Sequence, residues 1–226
     1  HPRAARGRLA REVEDPVLER FRQFWTKIWA PLGDLFLKLG ITPNQVTVVG
    51  TLGVSGGALW FFPRGQFFIG VMVVTAFVFS DLIDGYMARK LGTASKWGAF
   101  LDSTLDRVGD AAVFGGIMLY YTTSDAKADL GDPRMYLYLS LACLVLGNLT
   151  SYARARAESL GMTAKGGIAE RSDRLVSILV MTGFAGLLDL PILRELTLWV
   201  LAIASLITVF QRMRIVYKQT VDDPAL

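Results

Sequence analysis

The sequence predicts an all-α membrane protein with six transmembrane helices, preceded by an amphipathic helix at the membrane interface. Of its 226 residues, 52% are hydrophobic and only 19% are charged. The charged residues cluster, and the apolar runs between the clusters approach the roughly 20 residues that a helix needs to cross a bilayer. A soluble domain would instead distribute its charges over every surface element, so composition and patterning both favour a membrane protein.

The interfacial helix is predicted over residues 16–39. Apolar and aromatic side chains recur there every three or four residues, and basic and polar side chains fill the opposite face. This pattern suits a helix that lies in the plane of the lipid headgroups. Residues 1–15 are basic and polar and have no apolar run, which argues against a secretory signal and predicts a linker or an expression remnant outside the fold.

Six apolar runs follow, separated by short turns and polar loops. The predicted spans are Val46–Phe62, Phe67–Arg89, Lys96–Tyr121, Met135–Arg154, Leu175–Leu190 and Leu196–Ile215. The sequence contains no repeat and no low-complexity tract. Residues 16–226 are therefore predicted to form one membrane domain.

Positive charge sets the predicted orientation. Nineteen Lys and Arg residues fall on the side of the membrane that holds both termini, and the opposite loops hold only Arg64, Lys127, Arg134 and Arg194. Under the positive-inside rule both termini are cytoplasmic. Six spans agree with this, because an even number returns the chain to its starting side. We therefore expect a multi-pass protein of the plasma membrane.

Two residue counts exclude whole classes of chemistry. The only histidine is His1, and the only cysteine is Cys143, inside an apolar run. These counts exclude Ser-His-Asp triads, zinc sites built on histidine and a disulfide within the chain. Catalysis must then rely on Asp, Glu, Lys, Arg, Tyr or bound metal.

Four aspartates lie where the second predicted span ends and the third begins. Asp81 and Asp84 share one helical face, as do Asp102 and Asp106, and the linker between the spans is short. The two helices are therefore expected to be antiparallel neighbours whose polar faces meet near the cytoplasmic end. Small residues on the same faces leave room for a ligand or for close helix packing: Gly85, Ala88 and Gly98.

The four carboxylates indicate a metal site. An aspartate near the bilayer centre costs roughly 2.5–3.5 kcal/mol, and four together repel one another unless cations neutralise them. Oxygen ligands without histidine or cysteine favour Mg²⁺ or Mn²⁺. Four carboxylates can hold two such ions about 3.5–4 Å apart, which suits phosphoryl chemistry. A proton relay, or ion pairs with Arg89 and Arg107, is the alternative interpretation.

Residues 81–106 follow the pattern D-x-x-D-G-x-x-A-R-x8-G-x3-D-x3-D without departure. This pattern resembles the signature of the CDP-alcohol phosphotransferases, and the span pattern extends the resemblance across about residues 16–218. The resemblance implies a six-span homodimer in the lipid bilayer whose site faces the cytoplasm. It also implies transfer of a substituted phosphate from a CDP-linked donor to an alcohol, with release of CMP. Nucleic acid is not expected as a partner.

The same resemblance implies roles for individual residues. Asp81, Asp84 and Asp102 resemble the metal ligands. Asp106 resembles the general base for the acceptor hydroxyl and a further ligand of the second metal. The residues expected to bind the CDP-lipid are Asn44, Thr47, Gly85, Ala88, Arg89, Ser95 and Gly98, with Arg89 near the phosphates of the donor. Polar capping of a helix start is the alternative for Asn44 and Thr47.

Arginines at three cytoplasmic helix ends indicate the acceptor. Arg154, Arg174 and Arg212 can converge on a phosphate, which guanidinium groups bind in a bidentate manner. Residues 151–158 and 170–175 also resemble the bacterial phosphatidylinositol phosphate synthases. The expected acceptor is therefore inositol phosphate, with CDP-diacylglycerol as donor. Contact of these arginines with anionic lipid is the alternative.

Three other functions stay open at this point. A phosphatidylglycerophosphate synthase would use glycerol 3-phosphate as acceptor. An intramembrane prenyltransferase also binds diphosphate and Mg²⁺ through aspartate-rich helices, but it would need longer and more numerous spans. A non-enzymatic cation transporter would predict internal symmetry and helices broken at mid-membrane, and this sequence indicates neither.

Overall fold

The computed structural model describes residues 29–93 and 95–222, and its regular elements there are all helical. The helices are α1 (29–38), α2 (Pro43–Phe61), α3 (Phe67–Val78), α4 (Ser80–Leu91), α5 (Lys96–Tyr120), α6 (Pro133–Ser159), α7 (Arg171–Leu188) and α8 (Pro191–Asp222), with a 3₁₀ turn at Phe62–Arg64. No β-strand occurs in these two stretches, so the all-α prediction is confirmed. Residues 16–28 of the predicted interfacial helix lie outside the described residues.

Side-chain caps set the starts of α2, α5 and α6. At α2, the Thr42 hydroxyl accepts a hydrogen bond from the Gln45 amide at 3.3 Å, and the Gln45 side chain accepts one from the Thr42 amide at 2.9 Å. Ser95 caps α5 and Asp132 caps α6. Because Thr42 supplies the cap of α2, the Asn44 side chain stays outside the cap.

The second predicted span is divided at Phe79. α3 is apolar throughout, whereas α4 carries Asp81 and Asp84. The Leu82 amide donates to the Phe79 carbonyl at 3.1 Å, an i,i+3 bond that tightens one turn of the helix. The segment Phe67–Leu91 as a whole is still long and apolar enough to cross a membrane.

The bundle is organised around α2. This helix packs against α3, α4 and α5, while α6 contacts α5 and α8, and α7 contacts α3 and α8. The interior is mainly apolar, with Phe62, Val74, Ile117, Tyr136 and Ile178 among its largest fully buried side chains, but it also encloses Arg194 and Glu195. This packing brings α4 and the start of α5 beside the start of α2, and it brings the ends of α6 and α8 beside the start of α7.

Within the described residues, four helical segments are long and apolar enough to cross a membrane. They are Pro43–Arg64, Phe67–Leu91, Pro133–Ser159 and Pro191–Val221. The other two predicted spans form α5 and α7, which carry charged residues in their N-terminal halves. α7, for example, begins with Arg171, Asp173 and Arg174. Charged residues oppose membrane insertion, so these two helices lack the composition of a simple span. The chain is a helical membrane protein.

α1 packs its apolar side against Ile83 and Met87 of α4. Beside this contact, Asp34 accepts hydrogen bonds from the Lys90 ammonium at 2.6 Å and from the Tyr86 hydroxyl at 2.8 Å. The hydrogen bond from Lys90 lowers the pKa of Asp34 below its ordinary value because it stabilises the carboxylate. α1 therefore supports the helix that carries two of the four aspartates.

Candidate active site

The four aspartates of the motif lie on two helices, Asp81 and Asp84 on α4 and Asp102 and Asp106 on α5. Asp81 interacts electrostatically with Asp84 and Asp102, and Asp84 does so with Asp102 and Asp106. The structure thus brings the four carboxylates together, and we call them the aspartate cluster. In the described part of the chain, Asp81 and Asp102 are exposed and make no hydrogen bond or ion pair.

Asp84 is held in place by α2. The residue is only 8% exposed, and the Thr47 hydroxyl donates to its Oδ2 at 2.5 Å. A buried carboxylate needs such a donor because water cannot reach it freely. Thr47, which the family resemblance associates with the CDP-lipid, here orients one of the aspartates.

Asp106 is held by an arginine that the motif does not contain. Arg171 Nη1 lies 2.9 Å from Asp106 Oδ1, and Arg171 Nε donates to Asp110 Oδ1 at 3.2 Å. Asp110 also pairs with Arg107 at 3.3 Å, and Arg107 donates to the Ser151 hydroxyl at 2.5 Å. These contacts join α5, α6 and α7 at the edge of the aspartate cluster.

Sequence reasoning missed both Asp110 and Arg171. Asp110 extends the i,i+4 series of Asp102 and Asp106 by one more step, so its position on the same helical face could have been found in the sequence. Arg171 lies 65 residues beyond Asp106, and no local pattern indicates which carboxylate it meets. Such a pair depends on how the helices pack.

The start of α5 meets the start of α2 at Gly98. A Cβ atom at Gly98 would lie 3.5 Å from Asn44 Oδ1 and 3.3 Å from Ser95 Oγ. The Ser95 hydroxyl oxygen accepts a hydrogen bond from the Gly98 amide at 3.0 Å as the cap of α5, and its O–H can still donate to a ligand. The structure thus brings together three of the residues expected at the CDP-lipid.

Gly85 leaves room for Arg89 on α4. A Cβ atom at Gly85 would lie 3.3 Å from Arg89 Nη1, so a larger residue would crowd the guanidinium group. Ala88 is half-buried beside them. Arg89 itself is exposed and makes no hydrogen bond or ion pair within the described stretches, which leaves its donors available to a ligand.

Two of the three arginines expected at the acceptor meet at Thr150 on α6. Arg174 Nη1 donates to Thr150 Oγ1 at 3.1 Å, and Arg212 Nη1 donates to the Thr150 carbonyl oxygen. Both arginines are buried, at 3% and 5% exposure. Arg154 does not join them there; it is half-buried and pairs with Glu158 at 3.0 Å, one turn further along α6.

The arginines around the end of α6 form a region of positive charge, which we call the arginine cluster. It consists of Arg107, Arg154, Arg171, Arg174 and Arg212. Neither Arg174 nor Arg212 lies within ion-pair distance of a carboxylate among the described residues. Backbone carbonyl oxygens occupy part of their donors, those of Gly147 and Ala169 for Arg174 and that of Gly166 for Arg212. Asp110, Glu158 and Glu170 act on these arginines only from beyond ion-pair distance. Because a buried cation without an ion-pair partner is costly, this region favours an anionic ligand. Arg171, through its ion pair with Asp106, connects the two clusters.

The aspartate cluster has the chemistry of a divalent-metal site. Four carboxylates, two of them without hydrogen-bond partners, supply the oxygen ligands that Mg²⁺ and Mn²⁺ prefer. As the side chains stand, no three His, Cys, Asp or Glu residues in the described stretches are arranged to hold an ion. Asp84 is turned toward Thr47 and Asp106 toward Arg171. The four carboxylates fit a divalent cation, while Thr47 and Arg171 determine how the side chains of Asp84 and Asp106 are oriented.

Comparison with known sequences indicates the same family as the aspartate motif. The profile of the CDP-alcohol phosphatidyltransferase family matches residues 40–210. The phosphatidylinositol phosphate synthase of Streptomyces avermitilis is 44% identical over 232 aligned residues, which cover 99% of this chain and 93% of the relative. The enzyme of the same name from Cutibacterium acnes is 46% identical over 204 residues, which cover 87% of this chain and 96% of the relative.

Two crystal structures of the phosphatidylinositol phosphate synthase of Mycobacterium tuberculosis have the same fold. The complex with manganese and citrate superposes with a TM-score of 0.77 at 38% identity, covering 83% of this chain and 88% of the other. The form with CDP-DAG bound has a TM-score of 0.76 at 37% identity, covering 84% and 94%. With its aspartate motif inside the matched region, this chain is a transferase that belongs to the CDP-alcohol phosphatidyltransferase family.

Proposed function

We propose that this chain transfers the phosphatidyl group of CDP-diacylglycerol to inositol phosphate, forming phosphatidylinositol phosphate and CMP. The observation that carries this proposal is the contact between the two clusters. Arg171 pairs with Asp106 at 2.9 Å and interacts electrostatically with Arg174. A phosphate bound in the arginine cluster would therefore place an attached hydroxyl group near the aspartates. The relatives that match nearly the whole chain are named for this reaction.

Asp81, Asp84, Asp102 and Asp106 would hold two Mg²⁺ or Mn²⁺ ions, which neutralise the donor diphosphate when bound and favour the departure of CMP. Asp106 accepts the proton of the acceptor hydroxyl as general base. Thr47 orients Asp84 by its hydrogen bond. Without acceptor, Arg171 neutralises Asp106. An anionic acceptor then competes for the Arg171 guanidinium group, and the carboxylate of Asp106 becomes available as a base.

Residues at the start of α2 and on α4 and α5 would bind the CDP-lipid. These are Asn44, Thr47, Gly85, Ala88, Arg89, Ser95 and Gly98. Arg89 has unoccupied donors for the donor phosphates. Asn44 and Ser95 both lie beside Gly98, which gives a polar edge where α2 meets α5.

The acceptor proposal rests on charge. Arg174 and Arg212 are buried without an ion-pair partner among the described residues, and Arg154 acts electrostatically on Arg212. A phosphorylated alcohol is therefore bound in preference to free inositol or serine. Glycerol 3-phosphate carries the same charge, and a phosphatidylglycerophosphate synthase is therefore the alternative within the family. The named relatives favour inositol phosphate.

The proposed topology has six spans with the site and both termini in the cytoplasm of a plasma-membrane protein. At 1.5 Å per residue, α5 is about 38 Å long and α7 about 27 Å, so both can cross much of a bilayer. Each packs on helices that are apolar enough to span, and their charged turns lie at the site. The proposal assigns residues 16–226 to the membrane domain and a homodimer as the functional unit.

An acceptor panel tests the activity. The purified protein is incubated with CDP-diacylglycerol and, separately, inositol phosphate, inositol, glycerol 3-phosphate or serine, and CMP release is measured. We expect release with inositol phosphate and little with free inositol. Equal use of inositol and inositol phosphate would contradict the arginine site. Product with glycerol 3-phosphate alone would leave that site standing and replace the acceptor.

Metal removal tests the aspartate site in the same assay. EDTA should abolish CMP release, and added Mg²⁺ or Mn²⁺ should restore it, because the donor diphosphate needs a counter-charge. Full turnover in metal-free buffer would exclude the two-metal proposal. Isothermal titration of Mn²⁺ gives a readout apart from activity, and Asp81→Asn should weaken that binding.

A further inference from the structure

A polar cavity of about 280 Å³ lies at the end of the bundle opposite the aspartate cluster. The turn after α2, the ends of α5 and α7 and the start of α8 surround it. Along α5, Tyr120 in its wall lies about 21 Å from Asp106 at the rise of an α-helix. The cavity is therefore separate from the site described above.

Arg194 forms the buried wall of this cavity and is only 2% exposed. Its guanidinium carbon lies 4.0 Å from the centre of the Phe67 ring, and the rings of Tyr120 and Tyr121 lie 5.0 and 5.2 Å away. Arg194 Nε donates to the Tyr121 hydroxyl at 3.0 Å. Its Nη2 is buried and has no hydrogen-bond partner among the described residues.

No carboxylate of the described chain neutralises Arg194. The adjacent Glu195 is directed elsewhere, since its two oxygens accept hydrogen bonds from the amides of Asp129 and Leu130, each at 2.9 Å. Asp189, at the rim of the cavity, is exposed and lies 3.9 Å from Lys127. Aromatic faces stabilise a cation only in part, so the buried guanidinium group keeps an unpaired donor at Nη2 and no ion-pair partner among the described residues.

We propose that this cavity is an anion site that binds a phosphate group through the Nη donors of Arg194. Guanidinium groups bind phosphate oxygens in a bidentate manner. The charged side chains that line the cavity are Arg64, Lys127 and Arg194 together with Asp125 and Asp189.

The position and size of the cavity favour a lipid headgroup as the source of that phosphate. Four helix ends meet at the cavity, and two of them, the turn after α2 and the start of α8, belong to segments able to span a membrane. Phospholipid phosphodiesters are concentrated at such a surface. A volume of about 280 Å³ is below the range of roughly 300–1,000 Å³ that is common for drug-sized ligands, so it suits a headgroup rather than a nucleotide.

Lipid titration of the full-length protein in neutral detergent tests the proposal. Thermal unfolding is followed while dihexanoyl phosphatidylglycerol, inorganic phosphate or dihexanoylglycerol is added. We expect phosphatidylglycerol to raise Tm through binding to the folded state, and dihexanoylglycerol to leave it unchanged. If Tm rises with inorganic phosphate alone and this rise is lost in Arg194→Gln, the cavity is an anion site, but its ligand is a soluble phosphate and not a lipid headgroup.

Variants separate this cavity from other lipid contacts. Arg194→Gln should weaken the phosphatidylglycerol response about ten- to a hundredfold, since it removes a charged hydrogen-bond donor. Arg134→Gln is the matched control because Arg134 is exposed at the same end of the bundle. If Arg194→Gln does not fold, Arg194→Lys keeps the charge and should keep a weaker response. The proposal would be overturned if the phosphatidylglycerol concentration at half-maximal Tm shift were unchanged in both Arg194 variants. It would also be overturned if neither phosphatidylglycerol nor inorganic phosphate raised the Tm of the wild type.

Discussion

At the scale of single residues, the four motif aspartates differ in the partners that the fold supplies. Asp84 accepts a hydrogen bond from Thr47, and Asp106 pairs with Arg171. Asp81 and Asp102 have no such partner among the described residues. Identical side chains therefore have different surroundings, which supports different roles for them.

Asparagine substitutions separate the general base from the metal ligands. Asp106→Asn should lower kcat by about 10²–10⁴-fold, because the amide keeps the size of the carboxylate but cannot accept the proton. The affinity for CDP-lipid should be largely kept. Asp81→Asn and Asp102→Asn should weaken donor binding as well, since metal holds the diphosphate. CMP release and donor titration measure both quantities, and equal loss of donor binding in all three variants would reject the base assignment.

The acceptor arginines can be tested with two neighbours on α8. Arg212→Gln should raise the KM for inositol phosphate about ten- to a hundredfold and change the donor KM little, because one charged hydrogen bond to phosphate is lost. Arg214→Gln is the control, since Arg214 is exposed and lies outside the arginine cluster. A rise in donor KM alone, or equal effects in both variants, would argue against an acceptor site here.

At the scale of elements, close helix contacts bring the functional groups together. α2 must approach α5 closely for Thr47 and Asn44 to lie beside the aspartate-bearing helices. Gly116 makes this approach possible toward the other end of α5. A Cβ atom there would lie 2.6 Å from the Ala58 carbonyl oxygen, a backbone atom that cannot rotate away.

Adjacent glycines on α5 test this contact. Gly116→Ala should destabilise the protein by about 1–3 kcal/mol through overpacking and should lower activity as α2 moves from α5. Gly115→Ala should be neutral or slightly stabilising, because nothing lies within 4 Å of its added Cβ and alanine is the better helix former. Thermal unfolding in detergent compares the two. A similar loss of stability in both variants would show that the α2–α5 contact is not the cause.

At the scale of the whole molecule, the two ends of the bundle differ in charge chemistry. One end holds the aspartate cluster and the arginine cluster, and the other holds the cavity around Arg194. The excess of Lys and Arg on the first side predicts that it faces the cytoplasm. The proposed orientation therefore places the aspartate and arginine clusters on the cytoplasmic side of the membrane and the Arg194 cavity on the opposite side.

Cysteine labelling tests this orientation. Because Cys143 is the only cysteine and is 2% exposed, Cys143→Ala supplies a background without thiols. In intact cells, a membrane-impermeant maleimide should label Ser124→Cys, in the loop after α5, and should label Arg156→Cys on α6 only after permeabilisation. Both native residues are exposed. Labelling of both positions from outside would contradict six spans with a cytoplasmic site.

The sequence by itself determined the features that depend on local spacing. Apolar runs separated by charged clusters predict membrane helices because the hydrophobic effect acts on each segment separately. Aspartates three and four residues apart share a helical face whatever the rest of the chain does. The same short-range pattern carried the resemblance to the family, and the match over residues 40–210 confirms it. The sequence did not predict the division of the second span at Phe79, because a single tightened turn leaves the hydrophobic pattern unchanged.

Only the tertiary structure decided which partner each functional side chain meets. Thr47 reaches Asp84 across 37 residues and Arg171 reaches Asp110 across 61. The arginine cluster and the Arg194 cavity likewise form from helices far apart in the chain. Local periodicity states which face of a helix is polar, but helix packing selects the neighbour that this face contacts. The sequence thus predicts which chemical groups form the site, whereas the partner that each group contacts depends on how the helices pack against one another.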